Sequence, residues 1–224
     1  MAGTLFIVAT PVGNLSDITL RALETLKAVD AIACEDTRQT SKLLQHYQIH
    51  KPLVSLHDHN ERGRTPQVLR QLGDGQSIAL VSDGGTPLIN DPGWWLVRQA
   101  IEARMSVTWI PGAVAFIGAL VLSGLPTDRF AFEGFLPVKS GARRIRLEAL
   151  KNEERTVVFY ESPHRLLRTL RDLHELLGNV PVCCARELTK KFEEVRHGSA
   201  SEVLAHFEQH PPRGEFAVVL RTQK

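Results

Sequence analysis

Residues 79–93 read ALVSDGGTPLINDPG. The apolar run Ala79–Val81 breaks into Ser82, Asp83, Gly84 and Gly85, and Pro87, Pro92 and Gly93 follow. A short continuous apolar run of this kind fits a strand buried on both faces. Glycines at its end let a ligand approach the backbone without meeting a Cβ, and prolines hold the turn in one conformation. Four more runs share the strand pattern: TLFIVAT (4–10), DAIACE (30–35), PLVSLH (52–57) and SVTWIPG (106–112). The segments between them suit helices. In SDITLRALETLKAV (16–29), Ser16 or Asp17 is the expected N-cap, and Leu20, Leu23 and Leu26 recur three apart. The alternation predicts a parallel α/β sheet with flanking helices.

Beyond SGLPTDR (123–129) the grammar changes. FAFEGFLPV, RTVVFYES, VPVCCARELT, FEEVRHG and EFAVVLRT read as strands, with clear helices only at PHRLLRTLRDLHELLG and SASEVLAHFEQH. This predicts a mixed, partly antiparallel second sheet. The expected division is a first domain over 1–124 and a second over 125–224, hinged near 124–130, with a ligand cleft between them. AVAFIGALVLSGL (113–125) is too short to span a bilayer and reads as a core helix.

Composition narrows the setting. The 224 residues, 43% apolar and 23% charged, suit one generous core or two modest ones. A net charge of +2 does not by itself imply a polyanion partner. Cys34, Cys183 and Cys184 lack C-x-x-C spacing and read as core residues of a protein in a reducing compartment. The N-terminal run has no cationic leader region, so it reads as a first strand of a soluble, cytoplasmic chain.

Three strand ends concentrate glycine and proline: ATPVGN (9–14), SDGGTP (82–87) and PGAVA (111–115). Neither G-x-x-x-x-G-K-[ST] nor G-x-G-x-x-G is present, which disfavours P-loop and Rossmann nucleotide binding. ATPVGNLSDIT, EDTR, LHDHNE, LVSDGGTPLINDPG, PGAVA, FEGFLP, FYESPHR and ARELTKKFEE together resemble, in order and over almost the whole chain, the tetrapyrrole methylase superfamily, and within it the branch that modifies ribosomal RNA.

The resemblance implies a fold of two α/β domains with S-adenosylmethionine in the cleft between them, usually in a homodimer. It implies methyl transfer to the ribose 2′-hydroxyl of a cytidine in 16S rRNA, on the assembled 30S subunit. Carried over by position, the cofactor contacts are Pro11, Gly13, Ser82, Asp83, Gly84, Gly85, Pro87, Pro111, Gly112, Val114 and Ala115, with Tyr160, Glu161 and Leu188 from the second domain. This sequence departs from the family pattern in three places. Gly84 stands where alanine is usual, PGAVA replaces the common PGPSA, and Lys224 comes soon after the last strand, where many relatives continue into a helical extension.

Methyl transfer to a hydroxyl needs alignment and a base within hydrogen-bond reach. The candidates in the matched blocks are Asp36, Arg38, His57, Asp58, Asn60, Glu161, Arg186, Glu187 and Lys190. Asp36 with Arg38 reads either as a substrate contact or as an ion pair capping the next helix. Arg186 or Lys190 would hold a phosphate or the developing alkoxide, with Glu187 pairing one of them. His57 and His59 would share a strand face, but they have no third ligand and no metal is expected. Lys139, Arg143, Arg144 and Arg146, with no acid between Gly134 and Leu147, form the expected RNA arm. Trp94 and Trp95 suit base stacking, core packing or a dimer contact. Two rival readings stand beside this one: a methylase of a small anionic macrocycle, and a non-catalytic RNA-binding relative.

Overall fold

The computed structural model describes residues 2–222 as two compact units, the first ending at Val114 and the second beginning at Ala115. The first runs β1 (Thr4–Val8), α1 (Leu20–Ala28), β2 (Ala31–Cys34), α2 (Thr37–His46), β3 (Leu53–Ser55), α3 (Glu61–Gly73), β4 (Ile78–Val81), α4 (Trp94–Glu102) and β5 (Ser106–Ile110). Its five strands are all parallel, in the order β3-β2-β4-β1-β5. Alternate side chains of each strand serve opposite faces. Val8, Ile32, Cys34, Ala79 and Val81 pack with Ala22 and Leu26 of α1 and Leu44 of α2. Leu5, Ile7, Ala33, Ile78 and Leu80 pack with Val68 and Leu72 of α3 and Leu96 and Ala100 of α4. Burial on both faces explains why these strands read as continuous apolar runs.

The start of α1 differs from the expectation. Residues Leu15–Asp17 form a separate turn of 3-10 helix capped by Asn14, and the hydroxyl of Thr19 accepts the Ala22 amide as the true N-cap. Ser16 and Asp17 lie inside the preceding turn and so cannot cap α1.

The second unit runs α5 (Ala115–Leu122), β6 (Phe130–Phe135), α6 (Ser140–Ala149), β7 (Thr156–Glu161), α7 (Pro163–Leu177), β8 (Pro181–Arg186), β9 (Glu194–Ser199), α8 (Ala200–Gln209) and β10 (Phe216–Leu220). Its sheet has the order β6-β7-β10-β8-β9, with β6 parallel to β7 and every other pair antiparallel. The division between units falls before α5, earlier than the expected hinge, because Ala119 and Leu120 bury against Val158, Cys183, Ala217 and Val219 of the second sheet. This helix is only half a core helix: Val121 and Leu122 are exposed. The opposite sheet face, including Phe159, Cys184 and Val218, is covered by α6, α7 and α8. All three cysteines are buried, and burial raises the Cys183 thiol to about 11.

Helices α6 and α7 are tied by ion pairs. Arg143 is buried, with its guanidinium 2.6 Å from the Asp172 carboxylate, and Arg144 bridges Asp172 and Glu175 at 2.6 and 2.7 Å. Removing one partner of a buried pair strands the other charge, at a cost of about 3–5 kcal/mol. Asp172→Ala, which strands the buried Arg143 guanidinium, should therefore lower unfolding free energy by about 3–5 kcal/mol in urea titration. Arg171→Ala, which breaks a half-exposed pair with Glu208, should cost no more than about 1 kcal/mol.

Candidate functional site

Because β4, β1 and β5 are adjacent and parallel, their C-terminal ends reach the same edge of the first sheet. The three glycine- and proline-rich loops leave from those ends and are bonded to one another. Thr10 and Gly85 exchange backbone hydrogen bonds of 2.8 and 3.0 Å, and the Thr10 hydroxyl donates to the Ser82 carbonyl at 3.2 Å. The Thr86 hydroxyl donates to the Ala113 carbonyl at 3.2 Å, which ties the third loop to the second. That bond fastens PGAVA, which lacks the second proline of the family pattern.

Gly85 has φ +93°, in the left-handed region where a side chain brings strain. Gly112 lies so close to β1 that a Cβ there would come within 2.9 Å of the Ala9 Cβ. An alanine at Gly84 would place its Cβ 3.3 Å from the Pro11 carbonyl oxygen, so glycine relieves a tight contact. Pro11, Ser82, Gly85 and Pro87 are buried as the frame of this rim; Pro111, Gly112 and Val114 are half-buried; Gly13, Asp83 and Gly84 are exposed on it.

Asp36 caps α2, accepting the Arg38 amide at 2.8 Å, and pairs with the Arg38 guanidinium at 2.7 Å. The hydrogen bonds from Arg38 hold its carboxyl down at about 2. Its own amide donates to the Asp83 carboxylate at 3.1 Å, which links this corner to the rim. The Arg38 side chain remains 87% exposed, so its guanidinium can meet a further anion.

His57, Asp58 and His59 occupy a turn rather than a strand, because Asn60 folds back to accept the His57 amide at 2.9 Å. The described residues hold no group of three or more His, Cys, Asp or Glu side chains placed to bind a metal.

Two carboxylates at this edge were not singled out in the sequence. Asp91 is raised to about 6, chiefly by burial, with Glu35, Asp83 and Asp58 adding to the rise and a Ser82 hydrogen bond opposing it. Glu35 is raised by burial and by Asp83 and Asp58. Asp91 belongs to the LINDPG segment and Glu35 precedes Asp36, so the signal was proximity to the glycine loops rather than a motif.

In the second unit Tyr160, Ala115 and Leu188 come together. The Tyr160 hydroxyl accepts the Phe116 amide at 3.2 Å at the start of α5, and Leu188 packs beside Gly118. Glu161 does not join them. Adjacent residues of a strand point to opposite faces, and the fully buried Glu161 side chain instead accepts the Ser162 amide at 2.8 Å and the Thr169 hydroxyl at 2.6 Å. It secures the start of α7.

Arg186 pairs with Glu194 at 3.2 Å and donates to the Arg213 carbonyl. Lys190 lies 2.8 Å from both Glu187 and Glu215. The expected RNA arm is also spent: Arg143 and Arg144 serve the α6–α7 pairs, and Arg146 is held by Glu133. Lys139 alone of that group has no ion-pair partner among the described residues.

Asp91 titrates at about 6 in the folded chain against 3.8 for an unperturbed aspartate. Between those values the folded chain holds more protons, so this group's contribution lowers stability as pH rises through the window. Asp91→Asn should gain stability relative to the parent chain between pH ~4 and pH ~6.5, read as urea midpoints across that range. A difference independent of pH would show that Asp91 titrates normally.

Residues 4–204 match the family described as Tetrapyrrole (Corrin/Porphyrin) Methylases. The chain is similar to proteins named ribosomal RNA small subunit methyltransferase I. Identity to the one from Synechocystis sp. is 54%, covering 97% of this chain and 78% of that protein. Against the one from Escherichia coli O157:H7 it is 52%, covering 99% and 79%. Against the one from Thermotoga maritima it is 48%, covering 97% and 98%. Among solved structures, a diphthine synthase superposes with TM-score 0.78 at 14% identity, covering 98% of this chain and 90% of that one. A cobalt precorrin-4 methyltransferase superposes with TM-score 0.71 at 13% identity, covering 99% and 96%. The match over most of the chain, and identity near one half to full-length relatives, place this chain in the tetrapyrrole methylase family of methyltransferases.

Proposed function

We propose that this chain transfers a methyl group from S-adenosylmethionine to the ribose 2′-hydroxyl of a cytidine in 16S rRNA, on the assembled small subunit in the cytoplasm. The observation that carries the reading is identity near one half, over 97–99% of this chain, to relatives named ribosomal RNA small subunit methyltransferase I. The rim itself supports the cofactor. Exposed Gly84 and Gly13 offer backbone without Cβ, and Asp83 presents a carboxylate beside them.

When bound, S-adenosylmethionine supplies an electrophilic methyl group on a cationic sulfur. Alignment is the main lever for such a displacement, and it can supply roughly 7–11 kcal/mol. The interlocked loops serve that end, since Thr10, Gly85 and Thr86 hold three strand ends in one arrangement. Proton removal from the hydroxyl favours a base that titrates near working pH. Asp91, at about 6, is suited to that, and exposed Asp83 is the other acceptor at the rim. Arg38, with its side chain 87% exposed, would steady a substrate phosphate. Lys190 and Arg186 would act only by exchanging their carboxylate partners for substrate. A homodimer belongs to the same reading, supported by Trp109, which is 58% exposed on the edge strand β5.

Incubation with methyl-labelled S-adenosylmethionine and 30S subunits lacking ribose methylation should place label in 2′-O-methylcytidine. Label in a porphyrinogen instead, or none with cofactor bound, would overturn the reading. Gly85→Val puts a β-branched residue at φ +93°, a strain of about 1–3 kcal/mol. The variant should unfold cooperatively yet show no calorimetric cofactor binding. Unchanged binding would remove the 82–87 loop from the site.

A further inference from the structure

Helices α3 and α4 begin side by side in the first unit. Gly93, ahead of α4, has no side chain to cap it, and the buried carboxylate of Glu61, the first residue of α3, accepts the Leu96 amide at 3.1 Å in its place. That bond locks the two first turns together, and across them runs an alternating stack of cations and indoles. The Arg62 guanidinium lies 5.0 Å from the Trp95 ring centre, and that of Arg98 lies 5.7 Å from Trp95 and 5.6 Å from Trp94. The two indoles are 6.0 Å apart, inclined at 52°.

Packing does not account for Trp94, which is 57% exposed. Arg98 shares its charge with Glu102 at 2.8 Å, whereas Arg62 has no carboxylate partner among the described residues. An apolar partner would have no use for the guanidinium groups, and a small anion would have none for the indoles. Unpaired RNA offers both a π-face for each base and a phosphate for each step. Aromatic rings accept bases of any identity, and nearby cations release counterions from the backbone. Helix α6, whose arginines are bound to acids of the same unit, has far less to offer.

We propose that Trp94, braced by Arg98 and Trp95, is a stacking platform for an unpaired base of the RNA substrate, with Arg62 meeting an adjacent phosphate. This rests on the rRNA methyltransferase reading above. The test is binding of a mixed-sequence single-stranded oligoribonucleotide and of 30S subunits to the full chain, followed by tryptophan quenching and by salt titration. Cofactor affinity and 30S methylation by the parent chain are measured alongside.

Trp94→Ala should weaken oligoribonucleotide binding roughly tenfold, and Trp94→Phe should restore most of it. Arg62→Ala should lower the salt slope by about one. Cofactor affinity and cooperative unfolding should stay as in the parent. If the parent binds RNA and methylates 30S subunits but the Trp94 and Arg62 variants bind like it, the platform is wrong and the functional reading stands. If Trp94→Ala loses 30S binding while naked RNA binding is unchanged, or changes only the oligomeric state, the surface meets protein and the proposal falls. If the parent neither binds RNA nor methylates 30S subunits, the functional reading falls and takes the platform with it.

Discussion

Parallel pairing of β1 with β4 on one side and β5 on the other is the constraint from which the site follows. Parallel strands all end on the same edge of their sheet, so three loops separated by roughly seventy and then thirty residues of chain must emerge together. Proximity alone would leave them mobile. The reciprocal Thr10–Gly85 backbone bonds and the Thr86–Ala113 bond turn three neighbouring loops into one rim. Glycine at 85 and 112 is the local requirement of that arrangement, one for its left-handed backbone and the other for the closeness of β1.

Charge is distributed by a different logic. Most arginines of the second unit are used internally, since packing α6 on α7 brings Arg143 and Arg144 against Asp172 and Glu175. A buried guanidinium without such a partner would be costly, so the pairing is a condition of the packing as much as a gain from it. Two buried glutamates act in the same spirit: Glu61 caps α4 from a neighbouring helix and Glu161 anchors the start of α7. In the first unit Glu35, Asp58, Asp83 and Asp91 gather at the edge that carries the rim, and burial, reinforced by the neighbouring carboxylates, brings Asp91 to about 6. The second unit uses its charges mainly for cohesion, and the first, besides pairs and a cap of its own, keeps a titratable group near neutrality beside its glycine loops.

The fold is held by pattern more than by identity. Solved structures at 13–14% identity superpose with TM-scores of 0.71 and 0.78, while relatives near half identity align over 97–99% of this chain. Doubly covered strands need only apolar residues of suitable shape, which many sequences supply. Loops that approach a ligand closely need particular residues at particular places.

The sequence by itself determined all ten strands among the described residues, the parallel first sheet, the mixed second one and the three loops of the rim. Strand burial is written as short apolar runs, and glycine and proline mark turns wherever they stand, so both are local signals. It misread what depends on distant partners. Arg143 looked like a free cation because Asp172 lies 29 residues away, and Glu161 looked like a site residue because a motif does not say to which face of a strand its side chain points. The attachment of residues 115–122 to the second sheet, the elevated Asp91 and the stack over Trp94 were equally out of reach. Whether a charge is paired, buried or open is set by side chains that the fold brings from elsewhere in the chain, and only the tertiary structure decides it.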